Sequence, residues 1–358
     1  MKGATLGNRR FSGKVCRSIP VLLVCVIIVC LLLNHYEKGK SASRSVFAMD
    51  TYMELTAYGA DSEEALDRAV VEIQRIDGLL STGNADSEVS RLNAEKEGVL
   101  SEDLGYLLER SMEINEMSGG AFDITIYPVM KAWGFAGGEF RVPGDEELSK
   151  LLAYVDMSSL KYSKESGRLE MPRQAELDFG GIGKGYTAQR IAEVFAEYDI
   201  GGAMLNLGGN VQIYGSKPDG SEWKIAVKSP DGALPYLGIL SFEGLSGGAG
   251  GSRAVVTSGG YERYFEKDGK IYHHIIDPRT GKPSDSGIVS VTVVCGDGTL
   301  ADGLSTAIFV MGYDRAVELW RGHKGEFELI LFDDQGKLYA TEGLEGSFAS
   351  ELGYEIIH

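Results

Sequence analysis

The sequence predicts an α+β fold of mixed, largely antiparallel sheets with packed helices. Three observations carry that expectation. Ten or so short segments have the apolar runs or alternation of strands between turn residues, and a few longer stretches have helical spacing. The two kinds do not alternate strictly as βαβ units would. With 358 residues, 43% hydrophobic and 24% charged, the chain can bury a sizeable core, and its 48 glycines favour tight turns and backbone that approaches ligands closely.

From the N-terminus, residues 1–18 are a basic segment and Ile19 to Leu33 an almost unbroken apolar run. Five basic residues and no acidic one precede the run, the pattern of a secretory signal. Fifteen residues make a helix of about 22 Å, short of a hydrocarbon core of about 30 Å, so a spanning helix would need flanking residues. No small-x-small cleavage site follows the run directly, which favours an uncleaved anchor over a cleaved, secreted form. By the positive-inside rule the body then lies outside the cytoplasm, held at the cell membrane. Val24 and Val29 before Cys25 and Cys30 argue against a lipoprotein.

Residues 34–45 read as a linker, and 46–358 as one body. Val46 to Tyr58 is an expected strand, and Ser62 to Leu80 an amphipathic helix capped by Ser62. Leu104 to Ser118 is a second helix, stopped by Gly119-Gly120. Asp178 to Tyr198 opens as a glycine-rich turn and continues as a helix. Short strands follow around Ala203 to Leu207, Val211 to Tyr214, Trp223 to Val227, Gly238 to Phe242, Ala254 to Ser258 and Ile288 to Val294. Gly247 to Gly251 reads as a loop, Thr299 as the cap of a helix over Leu300 to Met311, and Phe327 to Phe332 and Leu338 to Ala340 as closing strands.

Charge and cysteine usage exclude some functions. Residues 1–40 hold seven of the 35 Lys/Arg but only Glu37 of the 52 acidic residues, so the remainder carries 28 basic and 51 acidic side chains, a net of −23. Such a body repels nucleic acid, and none is expected as a partner. Cys295 is the only cysteine of the body, so no internal disulfide is available, and its apolar neighbours make it a buried strand residue.

The candidate chemistry clusters late in the chain. Thr257-Ser258-Gly259, His273 to Gly281 and Ala301 to Thr306 fall within fifty residues. Asp302 and Thr306 stand four apart, so on a helix they share a face and offer two oxygens to one cation. Gly180-Gly181-Ile182-Gly183-Lys184-Gly185 leads into a helix, which suits a phosphate site at its N-terminus or simply a tight turn with a solvated Lys184. It has neither Walker A nor dinucleotide-fingerprint spacing. A carbonyl from this turn, the Asp/Thr pair and substrate phosphates would complete an Mg2+ octahedron. His274, three residues before Asp277 and a rigid Pro-Arg-Thr-Gly turn, fits a general base or a histidine bonded to its own turn. Leu205-Asn206-Leu207-Gly208-Gly209-Asn210 reads as a hairpin turn.

At these residues the chain resembles the ApbE family of FAD:protein FMN transferases. The resemblance runs in order through Met49-Asp50-Thr51, Ser81-Thr82, Ser87-Glu88, Arg91-Leu92-Asn93, Phe122-Asp123, Trp133-Gly134-Phe135, Asp178 to Tyr186, Leu207 to Asn210, Thr257 to Gly259, His274 to Gly281 and Ala301 to Thr306. The family often has Gly where Asp50 stands and Ala where Gly183 stands. The resemblance implies a single T-fold-like catalytic domain over 46–358. It also implies Mg2+-dependent transfer of the FMN half of FAD to a Thr or Ser hydroxyl of an acceptor protein, with release of AMP. By the same resemblance, the Gly181 carbonyl, Asp302 and Thr306 hold the metal, and His274 is the base, supported by Asp277. Lys184 binds phosphate. Met49, Glu88, Asn93, Asp178, Ser258, Gly259 and His274 count among the FAD contacts. A metal-dependent FAD pyrophosphatase and a non-catalytic flavin-binding module are the alternatives. The chain carries no acceptor motif of the Asp-Gly-x-Ser/Thr-Gly-Ala-Thr kind, so the acceptor is expected to be another exported or membrane protein.

Overall fold

Strands whose alternate residues are apolar on both faces must be covered on both faces, and that rule organises this protein. A computed structural model describes residues 40–358 except 231, 233 and 246–250. The expected n-region, apolar segment and residues 34–39 of the linker lie outside the described residues, as does the expected loop at 247–251 apart from Gly251.

Nine strands form the main sheet: β1 (Ser41–Ala48), β2 (Thr51–Gly59), β3 (Ile200–Leu207), β4 (Asn210–Gly215), β5 (Ser252–Gly259), β6 (Ile288–Cys295), β7 (Phe327–Asp333), β8 (Leu338–Thr341) and β9 (Glu355–Ile357). Their order in the sheet is their order in the chain, so everything else is inserted between neighbours. All pairs are antiparallel except the last, β8 with β9. The fold is α+β and antiparallel-dominated, as the sequence predicts.

One face carries Leu205, Tyr214, Val256, Val293 and Leu331 against helices. The helices are α1 (Ser62–Leu80), α2 (Glu88–Glu95), α3 (Glu102–Ser118), α4 (Tyr127–Trp133), α5 (Asp145–Leu152), α6 (Gly183–Phe195), α7 (Gly298–Met311) and α8 (Tyr313–Gly322). Of these, α4 and α5 pack apart from the sheet, with Val129, Trp133 and Leu148 against Phe135 and Ile276. The opposite face carries Ile213, Val255, Val294 and Ile330, packed on a small sheet of Trp223–Lys228, Tyr236–Phe242 and Phe348–Ala349. Cys295 is buried at the end of β6, and burial pushes its thiol up to about 12, which makes it inert.

Several expectations are corrected here. Residues 41–45 belong to β1 instead of the linker, and Val46 to Tyr58 is not one strand but parts of two. Met49 and Asp50 form a two-residue turn between paired Ala48 and Thr51, with φ of 49° and 58°. Without glycine or asparagine there, nothing in the local sequence announces a type I′ hairpin. Asp61, not Ser62, precedes α1, and its carboxylate accepts from the Asp199 N–H instead of capping the helix. Asp297, not Thr299, caps α7 by accepting from the Leu300 N–H at 2.9 Å, worth about 1 kcal/mol. Thr299 bonds Gln189 instead.

Candidate active site

The glycine-rich turn is positioned by three hydrogen bonds before α6 begins. The Asn93 side chain brackets Leu177, donating to its carbonyl at 2.9 Å and accepting from its N–H at 2.7 Å. The Asp178 N–H then donates to the Ile124 carbonyl, fixing where the turn leaves. Helix α6 crosses α7 at two glycines. A Cβ on Gly185 would lie 2.1 Å from the Gly298 carbonyl oxygen and 2.6 Å from Asp302 Cβ, so no larger residue allows this approach. The reward is a 2.8 Å hydrogen bond from the Gly185 N–H to Asp302 Oδ2, which brings Asp302 beneath the start of α6. Thr306 follows one turn along α7, beside Gly181, whose Cβ position lies 3.6 Å from Thr306 Oγ1.

These groups suit a hard cation. Asp302 is only 4% exposed and forms no ion pair among the described residues, and a carboxyl group buried without a partner charge is a donor suited to a cation. Among the described residues no group of three or more His, Cys, Asp or Glu is placed to hold a metal ion. One carboxylate, one hydroxyl and backbone carbonyls match Mg2+, which keeps waters and takes phosphate oxygens, better than zinc.

The opposite wall is an insertion between β5 and β6. A ribbon of Tyr264–Lys267 and Lys270–His273 projects and returns, and His274 follows it. The Arg263 carbonyl takes both the His274 N–H and Nδ1, each at 3.0 Å. A carbonyl only accepts, so Nδ1 carries the proton and Nε2 is the basic nitrogen. Burial pushes the His274 pKa down to about 4; the Arg263 carbonyl opposes this, while the Lys184 and Arg263 cations reinforce it. The ring is therefore neutral at pH 7 and competent as a base. Burial raises the Asp178 pKa, against the Gly180 N–H and the same two cations, which pull it down.

Both walls border one cavity of about 750 Å3, within the range of organic-ligand pockets. Met49, Asp178, Gly181, Lys184, Ser258, Gly259, His274, Asp302 and Thr306 all line it. Asp77 holds the strained turn at its mouth by accepting from the Met49 N–H at 3.1 Å. The Ser258 hydroxyl bonds Ser305, 2.7 Å away on α7, tying β5 to the helix that carries Asp302.

Three expected residues sit elsewhere. Asp277 does not support His274; its carboxylate takes the Arg279 backbone N–H and guanidinium, each at 2.9 Å, and so shapes the turn. Trp133 completes that job by donating from Nε1 to the Gly281 carbonyl at 2.7 Å. Glu88 accepts from the Ser101 N–H at 2.7 Å, and Asn93 holds Leu177, so neither lines the cavity. Sequence reasoning missed Arg263, which lines the cavity and donates to the Phe135 carbonyl. No spacing rule links position 263 to position 274, and only the ribbon's closure makes them neighbours.

A family model described as the ApbE family matches residues 49–331, a span that contains every cavity-lining residue. A Treponema pallidum FAD:protein FMN transferase is 31% identical over 346 residues, covering 89% of this chain and 93% of the relative. A Klebsiella pneumoniae protein of the same name is 34% identical over 280 residues, covering 76% and 83%. Among solved structures, the ApbE protein of Thermotoga maritima superposes with a TM-score of 0.78 at 29% identity, over 86% of this chain and 99% of that one. The flavin transferase ApbE of Vibrio cholerae gives 0.76 at 26% identity, over 86% and 99%. A family match across most of the chain, with relatives above 30% identity along nearly their whole length, makes this protein a member of the ApbE family.

Proposed function

We propose that this protein is an FAD:protein FMN transferase that moves the FMN half of FAD onto a Thr or Ser hydroxyl of an acceptor protein. The observation that carries the reading is a neutral histidine with a basic Nε2 lining the same cavity as Asp302, Thr306 and the glycine-rich turn. In the reaction the acceptor oxygen attacks the phosphorus of the FMN half. A new O–P bond forms, the pyrophosphate bond breaks, and AMP leaves with the bridging oxygen. His274 Nε2 takes the hydroxyl proton, which a neutral alcohol must lose to attack. Lys184 and Arg263 set positive charge beside the phosphates, where the transition state gathers negative charge. Mg2+ held by the Gly181 carbonyl, Asp302 and Thr306 would supply the rest of that charge. Gly181, lacking a side chain, leaves room for phosphate against Phe122 and Thr306.

The basic and apolar N-terminal segments support an anchored enzyme outside the cytoplasm, acting on exported or membrane acceptors. Among the described residues no helix is long and apolar enough to cross a membrane. The test is mass spectrometry of the chain with FAD, Mg2+ and a peptide carrying an acceptor Thr. A metal-dependent gain of one FMN unit on that Thr is expected. Free FMN and AMP with unmodified peptide would replace transfer with hydrolysis, and intact FAD would reject both.

A further inference from the structure

Strand β4 carries two buried amides that the proposed reaction leaves idle. Asn210 is 1% exposed and Gln212 fully buried, and no nitrogen or oxygen of either side chain has a hydrogen-bond partner among the described residues. Buried carboxamides without partners cost a folded protein stability, so each needs a reason.

The two lie on the same face of β4 by its period of two, the face covered by helices. Gln212 abuts the start of α7: its Oε1 lies 2.7 Å from the Cβ position of Gly298. It does not border the cavity, whereas Asn210 does. Likewise Gly298 lies away from the cavity, and Asp302, one turn on, lines it. Two strand residues advance about 6.8 Å and four helical residues about 6 Å, so Asn210 comes level with Asp302. Its partner on β5 is Val256, whose side chain offers an amide nothing.

We infer that Asn210 is a further ligand-binding residue, whose Nδ2 donates to a pyrophosphate oxygen and whose Oδ1 accepts from a water on the metal at Asp302. This rests on the flavin-transfer reading above. One amide supplies one donor and one acceptor side by side, and a hydrated metal–phosphate pair presents their complements. The edge of a flavin or adenine ring also presents both. The position level with Asp302, beneath the start of α6, selects the phosphates.

The test uses Asn210→Leu, which keeps the volume and removes both polar atoms. Melting of the ligand-free protein should be unchanged or higher, because two orphaned groups are gone. FAD affinity with Mg2+, read by flavin fluorescence, should fall about tenfold or more. Affinity for riboflavin and for adenosine, the two ring systems without phosphates, should change less than about twofold. Lower melting with unchanged FAD affinity would mean that buried solvent satisfies a structural amide, and would overturn the inference. So would an equal loss toward riboflavin or adenosine, which would assign Asn210 to that ring. Failure of the unsubstituted chain to bind FAD would instead sink the transferase reading and this inference with it. Asn210→Asp is the second variant: it keeps the shape, sets a like charge against phosphate, and should weaken FAD binding while Mg2+ affinity by calorimetry holds or tightens. Unchanged FAD affinity in that variant would also overturn the inference.

Discussion

The wall formed by α6 and α7 and the wall formed by the β5–β6 insertion face the same cavity, yet they are held by different means. On the helical wall, Gly185 and Gly298 let two backbones touch, and Asp302 is fixed by a backbone N–H and its own burial. On the insertion wall, His274 hangs from the Arg263 carbonyl, beside aromatic side chains such as Phe135, 6.3 Å away centroid to centroid. In the proposed reaction the first wall binds charge and must be rigid, whereas the second moves a proton and needs only the right tautomer. One wall should therefore fail by losing its shape or its charge, and the other by losing its nitrogen.

The harshest way to break the helical wall is Asp302→Asn. Metal-dependent FAD turnover should fall by about a thousandfold, with melting near that of the parent, because a neutral amide cannot replace a charged ligand. Turnover near the parent rate would remove Asp302 as the metal ligand. Gly185→Ala tests shape instead. The added methyl meets the Gly298 carbonyl at 2.1 Å, and denaturant unfolding should show a loss of about 3 kcal/mol. Gly209→Ala is the control for crowding, since a Cβ there meets nothing within 4 Å, although its positive φ still carries a smaller cost.

The insertion wall is sharpened by pH. With the His274 pKa at about 4, the acid limb of kcat/KM should fall near pH 4 instead of near 6.5. Lys184→Met removes a cation that disfavours protonation, so the limb should move upward. The same shift bears on stability with a definite sign. A histidine depressed on folding contributes stability that is fully present above its unfolded pKa, about 6.5, and is lost as the pH falls toward about 4. The smallest effect belongs to the mouth of the cavity. Asp50→Gly relieves a left-handed non-glycine residue at φ 58° and should raise stability by up to about 1 kcal/mol in denaturant melts.

What was legible in the sequence follows the same division. The Asp302–Thr306 spacing and the turn opening α6 were readable because each lies within one element, where period or local turn chemistry sets the geometry. The strands were readable because a sheet covered on both faces leaves near-continuous apolar runs, such as Val291 to Val294, bounded by turn residues. Asp277 stands close to His274 in sequence, but proximity in sequence is not contact. A carbonyl eleven residues upstream took the ring, and Arg279 took the carboxylate. Glu88 and Asn93 stand beside the functional segments in sequence but spend their polar atoms on backbone. The Met49–Asp50 turn was hidden because its residues do not favour the conformation they adopt.

In the proposed reaction His274 alone moves the proton, while Asp277 only shapes a turn. The most direct test is single-turnover FMN transfer, with FAD affinity measured in parallel, in His274→Asn and Asp277→Asn. His274→Asn should bind FAD within about twofold of the parent but transfer about 10²- to 10⁴-fold more slowly, while Asp277→Asn should transfer at close to the parent rate. Transfer at the parent rate by His274→Asn, or an equal collapse in Asp277→Asn with FAD binding intact, would contradict this assignment.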